Sequence, residues 1–147
     1  PFDSYLILRG LRTLKLRMKA HEKTALGLAQ ILSEHPSVLK VNYPGLSSHP
    51  NHTIAKKQQL GFGGMLSFEI NGGLQEVEKF VEKIEYFSLA ESLGGFESLV
   101  CHPYSMTHAP LSSEDKKKAG ISENLIRISV GIEEQEDLVK SILEALE

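Results

Sequence analysis

The sequence predicts one α+β domain in which helices pack on one face of a small sheet. The chain has 147 residues, 41% of them hydrophobic and 24% charged, a composition typical of a globular domain with a buried core. Apolar segments with strand-like and helix-like spacing alternate through short links that contain glycine or proline. No internal repeat or low-complexity tract interrupts this order. These observations indicate a single α+β (α/β) unit.

The first predicted element is one long helix over residues 3–35. Its apolar residues recur at helical intervals and form a stripe of Leu11, Leu14, Met18, Ala25, Leu28 and Leu32. Gly10 is a place for a bend, and Pro36 ends the helix. Because helices average roughly 11–12 residues, we expect a helix of this length to extend toward a second body.

The remaining elements alternate along the chain. Strands are predicted at residues 38–43, 65–70, 86–89, 99–102 and 125–130, where apolar and β-branched residues lie between turn residues. Helices are predicted at residues 53–59, 74–83, 114–119 and 134–146. Ser112 or Ser113 is expected to cap the third of these helices. Acidic residues in the first turn favour the last one.

Composition excludes several classes of partner. The net charge of −3 does not indicate a basic surface that would bind nucleic acid. The basic run at residues 116–118 is predicted to be a solvent-exposed helix face. No apolar run approaches the roughly 20 residues of a membrane helix, and no signal-peptide pattern opens the chain. Cys101 is the single cysteine, which rules out an intrachain disulfide and favours a reducing, cytoplasmic location.

A polar block near the middle of the chain predicts a ligand-facing turn. Residues 90–99 read AESLGGFESL, and they place Glu91 and Ser92 beside Gly94 and Gly95. Glycine tolerates positive φ and lets another group approach the backbone closely. Paired glycines beside polar side chains therefore indicate a site where the chain contacts a ligand.

Arg127 is the second candidate, because it lies inside the apolar run Leu125-Ile126-Arg127-Ile128. A charge in such a strand is costly unless a partner accepts it. An arginine held by its strand can bind a carboxylate through two parallel hydrogen bonds. The alternative is a structural ion pair with Glu91 or Glu97.

Other pairs of reactive residues are weaker signals. They are His49 with His52, Ser92 with His108, and Cys101 with His102. Zinc needs three or four converging ligands, so a metal-dependent hydrolase would require all four of these histidines to meet in space. The serine and cysteine pairs lack a nucleophile elbow and an orienting third group. We predict no metal site and no nucleophilic catalysis by this chain alone.

Several ordered motifs together resemble one known family. They are SYLILRGLRTLKLRM at residues 4–18, Tyr43-Pro44-Gly45-Leu46 followed by His49-Pro50, AESLGGFESL at residues 90–99, Met106-Thr107-His108-Ala109, and LIRISVGIE at residues 125–133. The chain resembles the pyridoxal-phosphate-dependent enzymes of cysteine and methionine metabolism. That family contains cystathionine γ-synthase, cystathionine γ-lyase, cystathionine β-lyase and methionine γ-lyase, and the likeness covers nearly the whole chain.

The resemblance implies a fold and a domain organisation. The chain would be the small C-terminal domain of a fold-type-I enzyme, with a mainly antiparallel sheet and helices on one face. Residues 1–35 would be the connecting helix from the cofactor domain, and residues 36–147 the small domain itself. The first residue is Pro1 rather than methionine, and we expect the cofactor domain to precede it.

The resemblance also assigns roles to residues. Arg127 matches the arginine that binds the substrate α-carboxylate. Ser92 matches a serine close to the cofactor lysine, and Thr107 matches a residue near the same pocket. Glu91 matches a position that varies with specificity, and an acid there is similar to the γ-synthase and γ-lyase branch.

These roles imply an activity for a longer parent enzyme. It would use pyridoxal 5'-phosphate to form or break C–S bonds of small sulfur amino acids, as a homotetramer, in transsulfuration and methionine biosynthesis. The cofactor lysine would belong to the N-terminal domain, so the 147 residues alone would be inactive. The alternative is a free-standing, non-catalytic binding or oligomerisation module of the same fold.

Overall fold

One five-stranded sheet forms the centre of the computed structural model, which describes residues 1–147. Its strands are β1 (Val38–Asn42), β2 (Met65–Ile70), β3 (Phe87–Leu89), β4 (Ser98–Cys101) and β5 (Leu125–Ser129), in the spatial order β1-β2-β5-β4-β3. The pairs β1–β2, β2–β5 and β4–β5 are antiparallel, whereas β3 runs parallel to β4 at the edge. The predicted α+β class, the five strands and the mainly antiparallel sheet are confirmed.

Six helices accompany the sheet. They are α1 (Phe2–Leu11), α2 (Leu14–Glu34), α3 (His52–Gln58), α4 (Leu74–Lys83), α5 (Ser113–Lys118) and α6 (Gln135–Leu146). Ser112 caps α5 as predicted, since its hydroxyl accepts the backbone N–H of Asp115 at 3.1 Å. None of the six combines the length and apolarity that a membrane-spanning helix requires.

The single long helix predicted over residues 3–35 is not confirmed, because the structure has two helices there. The chain breaks at Arg12 and Thr13, close to Gly10, near which a bend was predicted, and Gly10 itself lies inside α1. The Gly10 carbonyl accepts a hydrogen bond from the Arg17 guanidinium at 2.8 Å, and the Arg17 Nε also contacts the Thr13 hydroxyl at 3.2 Å. A side chain that takes up a helical carbonyl in this way interrupts the backbone ladder.

The apolar stripe predicted for that helix divides between two environments. Ala25, Leu28 and Leu32 of α2 are buried in the core. The N-terminal members are exposed, Leu11 by 54% and Met18 by 43%, and α1 has no buried residue. The periodicity identified a helical face correctly, but only its C-terminal part packs within this chain.

The core lies between one face of the sheet and helices α2, α4 and α6. A cluster of 19 buried residues fills it. Alternate residues of the central strands point into the cluster, among them Phe68 of β2 and Ile126 and Ile128 of β5, all fully buried. Phe68 packs edge-on against Phe80 of α4, with ring centroids 5.7 Å apart. Helices α2, α4 and α6 thus occupy one face of the sheet, and strand residues of opposite parity are turned to the other.

That second face of the sheet carries polar residues. Register places Ser67 of β2 opposite Arg127 of β5, and Cys101 of β4 opposite Arg127 on its other side. Ser129, two residues after Arg127 on β5, points to the same face because strand side chains alternate. The candidate site therefore lies on the face opposite helices α2, α4 and α6.

Candidate functional site

Arg127 is half-buried on the second face of the sheet, and its guanidinium contacts the connection between β3 and β4. Its Nη2 donates hydrogen bonds to the backbone carbonyl of Glu91 at 3.1 Å and to that of Ser92 at 3.2 Å. We call this connection, residues 90–97, the glycine loop. The structure thus brings together Arg127, Glu91 and Ser92, which are distant in sequence.

Arg127 forms no ion pair, so the structural alternative with Glu91 or Glu97 is wrong. The chain has three ion pairs, and all join residues three or four apart on helices α4, α5 and α6. Nη2 of Arg127 donates both hydrogen bonds, and its Nε and Nη1 donate to no protein atom. The donor set that remains is charged and planar, which suits a carboxylate.

The glycine loop is held against β5 from several directions. The Ser129 hydroxyl accepts the backbone N–H of Gly94 at 2.8 Å, and Gly94 adopts a positive φ of 76° that only glycine takes readily. Past β5, the N–H of Ile132 donates to the Phe96 carbonyl at 2.9 Å. These bonds fix the backbone that carries the two carbonyl partners of Arg127.

A half-buried carboxylate, that of Glu133, anchors the far end of the loop. Glu133 accepts the Ser98 N–H at 2.7 Å and the Ser98 hydroxyl at 2.8 Å. The Ser98 oxygen in turn accepts the N–H of Gly131 at 2.8 Å, and Ser98 is fully buried. The loop therefore reaches β4 through a satisfied polar network, an arrangement that fixes a single conformation.

The side chains of Glu91, Ser92 and Thr107, the other predicted site residues, differ in their exposure and hydrogen bonding. The carboxylate of Glu91 and the hydroxyl of Ser92 are exposed, and neither forms a hydrogen bond within the chain. Thr107 is half-buried after β4, and its hydroxyl lies 2.8 Å from Nδ1 of His108. No hydrogen bond joins Thr107 to Arg127 or to the glycine loop.

The histidines occupy separate structural positions. His52 lies 2.7 Å from the Pro44 carbonyl through Nδ1 and stacks on Phe62, with ring centroids 5.4 Å apart. Buried His102 uses both ring nitrogens, at 2.7 Å from the Ser105 hydroxyl and 2.9 Å from the Glu123 carbonyl. No three His, Cys, Asp or Glu side chains come together as a metal site would require.

Lys116 corrects the prediction of a fully solvated basic run at residues 116–118. It is buried to 8% exposure, and its ammonium lies 4.1 Å from the centroid of the Tyr104 ring. Tyr104 belongs to the segment after β4, so tertiary packing covers this one lysine of the run. A cation over an aromatic face is stabilised as a cation.

Sequence reasoning missed Ser129, Ser98 and Glu133. Ser129 had one usable signal: it follows Arg127 by two residues in a strand, which places both side chains on one face. Ser98 and Glu133 gave none, because their pairing depends on how the loop crosses the end of β5.

The chain is thus an α+β domain in which a central strand presents an arginine to a glycine loop. The family model described as "Cys/Met metabolism PLP-dependent enzyme" matches residues 1–147. The chain belongs to this family, which uses pyridoxal phosphate, and the resemblance drawn from its motifs is confirmed.

Relatives with different reaction names match almost equally well. The chain is 51% identical over 147 residues to cystathionine gamma-lyase of Dictyostelium discoideum, covering 100% of this chain and 38% of that protein. It is 52% identical over 146 residues to cystathionine beta-lyase of Coxiella burnetii, covering 99% and 38%. The solved cystathionine gamma synthase from Xanthomonas oryzae pv. oryzae, in complex with cystathionine, superposes with a TM-score of 0.94 at 51% identity, covering 99% and 38%.

The chain therefore spans about 38% of the length of the curated relatives that it matches. Similar identities to a γ-lyase, a β-lyase and a γ-synthase mean that overall identity does not choose among the reactions. The choice among these reactions has to be argued from individual residues of the site.

Proposed function

We propose that this chain is the C-terminal, substrate-binding part of a pyridoxal-phosphate-dependent transsulfuration enzyme of the cystathionine γ-synthase or γ-lyase type. The observation that carries the proposal is the state of Arg127. Its guanidinium has no acidic partner, is held by two loop carbonyls, and keeps Nε and Nη1 without protein acceptors. Such a donor set suits the α-carboxylate of an amino acid.

In this proposal Arg127 binds and orients the substrate. Charge-assisted hydrogen bonds from the guanidinium hold the α-carboxylate in one place, which fixes rotation about the Cα–N bond and so decides which bond to Cα is aligned for cleavage. Orientation of this kind lowers the barrier by removing rotational freedom before reaction. When bound, pyridoxal phosphate supplies an electron sink for carbanions next to the amino group.

Glu91 is the proposed specificity residue. Its side chain is exposed and forms no hydrogen bond within the chain, although its carbonyl lies 3.1 Å from Arg127. A substrate whose carboxylate is bound to Arg127 extends past this loop, and a distal ammonium group would pair with the Glu91 carboxylate. Cystathionine-like amino acids carry such a group at their far end.

Ser92 and Thr107 are proposed to line the same pocket, with the Ser92 hydroxyl close to the cofactor lysine. The lysine itself is proposed to come from sequence outside these 147 residues. Lys116 is the buried lysine of the chain, and its ammonium is occupied by the Tyr104 ring. A lysine that forms an imine has to present its nitrogen to the cofactor aldehyde, whereas the nitrogen of Lys116 lies against the Tyr104 ring.

The test is an assay of the protein translated from the complete open reading frame. We expect it to retain pyridoxal phosphate and to form or break the C–S bond of cystathionine, as a homo-oligomer in a reducing compartment. Borohydride reduction should fix the cofactor to a lysine outside residues 1–147. A reading frame that starts near Pro1 and a product without cofactor would overturn the proposal in favour of a free-standing module.

A further inference from the structure

Ser129 has a buried hydroxyl that the proposed chemistry does not use directly. It is 3% exposed, and its oxygen accepts the N–H of Gly94 at 2.8 Å. Gly94 lies two residues beyond Ser92, one of the two carbonyl partners of Arg127. Strand β5 therefore contacts the glycine loop twice, once through each of two side chains on the same face.

The two contacts act on one short piece of backbone. Arg127 donates to the carbonyls of residues 91 and 92, while Ser129 accepts from residue 94. The turn at Gly94 has a positive φ of 76°, so the loop bends sharply at the point where Ser129 holds it. Without the Ser129 bond, the exposed residues 91–93 would be tied to β5 through the guanidinium alone.

We propose that Ser129 is a positioning residue for carboxylate recognition: it fixes the loop carbonyls that set the plane of the Arg127 guanidinium. This inference rests on the proposed function, since it concerns how Arg127 receives an α-carboxylate. A planar donor is sensitive to rotation, and misplacing a binding group by about 1 Å costs up to about 100-fold in rate. Loss of one neutral hydrogen bond corresponds to a smaller effect, about 3- to 10-fold.

The experiment compares Ser129→Ala with a matched control, Ser141→Ala, in the full-length enzyme. Ser141 is equally buried at 3%, and its hydroxyl also accepts a backbone N–H, that of Glu85, at 2.8 Å. It lies on α6, on the other side of the sheet from Arg127. Both variants lose a hydrogen bond accepted from a backbone N–H, and Ser141→Ala also loses the bond that its hydroxyl donates to the Glu85 carbonyl at 2.6 Å. The melting temperature of Ser141→Ala should therefore fall at least as far as that of Ser129→Ala.

Their kinetics should differ. Ser129→Ala should raise KM for the amino-acid substrate about 3- to 10-fold with kcat within about 2-fold, since ground-state binding is weakened. Ser141→Ala should leave KM within about 2-fold, because destabilisation alone lowers the amount of active enzyme and not its affinity. Ser129→Thr, which keeps the hydroxyl, should restore KM to within about 2-fold of the unmodified enzyme.

A double-mutant cycle with Arg127→Lys tests whether Ser129 acts through the guanidinium. If it does, Ser129→Ala should change KM by less than about 2-fold in the Arg127→Lys background, because residues in one network are not additive. Equal effects in both backgrounds, or an unchanged KM in Ser129→Ala, would overturn the inference. Ser129→Cys keeps the side-chain size with a poor acceptor, and it replaces the alanine variant if that does not fold.

Failure of the proposed function has a different signature. If Arg127→Lys leaves KM and kcat unchanged, the carboxylate assignment itself is wrong, and the role of Ser129 falls with it. If Arg127→Lys is impaired while Ser129→Ala is additive with it, only the positioning role is lost.

Discussion

Arg127→Lys is the substitution that tests the site most directly. It keeps the positive charge and removes the planar fork. In the structure Nη2 alone holds the carbonyls of Glu91 and Ser92, at 3.1 and 3.2 Å, while Nε and Nη1 keep their donors free. A lysine nitrogen has three N–H donors, so holding both carbonyls would leave it one donor for a carboxylate.

The magnitude follows from that count. At least one charge-assisted hydrogen bond to the carboxylate is lost, which corresponds to about 1.5–3 kcal/mol. A free-energy difference of about 1.4 kcal/mol is tenfold, so kcat/KM should fall about 10- to 150-fold. Because Arg127→Lys preserves the positive charge, the fall in kcat/KM measures the contribution of the planar donor geometry of arginine.

The assay is steady-state kcat/KM of the full-length enzyme with a sulfur amino acid, beside the control Arg17→Lys. Arg17 also donates to a backbone carbonyl, that of Gly10 at 2.8 Å, but lies on α2 at the helix break. The control should remain within about 3-fold of the unmodified enzyme. A kcat/KM for Arg127→Lys that is also within about 3-fold would refute the argument that a planar donor set is required.

Three further predictions concern other parts of the chain. Glu91→Tyr should shift the preference between γ- and β-elimination in the full-length enzyme, measured as the ratio of the two oxo-acid products; an unchanged ratio would exclude Glu91 from specificity. Burial, and secondarily the nearby charge of Glu22, raises the pKa of the Tyr43 phenol above its ordinary value of 10.0. The unfolded chain thus loses this proton first, and stability should fall as pH rises above about 10. Tyr43→Phe should flatten that fall in urea unfolding between about pH 9 and 11; an equally steep fall would assign it to other groups. The isolated chain should self-associate through apolar residues of α1, among them Phe2 at 69% and Ile7 at 64% exposure, and light scattering that reports a monomer at high concentration would contradict this.

The sheet and its helices were predictable because local pattern and tertiary position agree. Phe68 lies between polar Ser67 and Glu69 and is buried on the helix side, as the period of two predicts. The break at Arg12 and Thr13 was not predictable in this way. It depends on a side chain, Arg17, reaching back to the carbonyl of Gly10, and apolar periodicity continues on both sides of it.

The burial of a side chain also differed from what the apolar periodicity predicted, at positions where packing against other elements determines burial. Leu11 and Leu28 occupy one predicted stripe, yet one is 54% exposed and the other fully buried. Periodicity identifies an apolar face without identifying what covers it. Lys116 shows the reverse, because a lysine in a charged run became buried under Tyr104, which lies outside its helix.

The candidate site was predicted in outline. A charge within an apolar strand was enough to single out Arg127, and paired glycines singled out the loop it contacts. That Arg127 donates to backbone carbonyls was not predictable. A sequence identifies acidic side chains as candidate partners for an arginine, but it does not show which backbone carbonyls will lie close to it. Ser129 needed the sheet register and the loop path together before its role became visible.

The way in which Arg127 is held has a consequence for how this domain can diversify. Its two partners are main-chain oxygens of residues 91 and 92, which every amino acid supplies, so the anchor is indifferent to the identity of those residues. The loop also joins two neighbouring parallel strands, β3 and β4, a connection that usually takes a dozen or more residues. Here residues 90–97 alone form this connection, so the loop is short for the distance that it spans. Under the proposed function, substitutions at position 91 would therefore change which substrates are accepted without weakening the hold on Arg127, whereas insertions or deletions in the loop would move both oxygens at once.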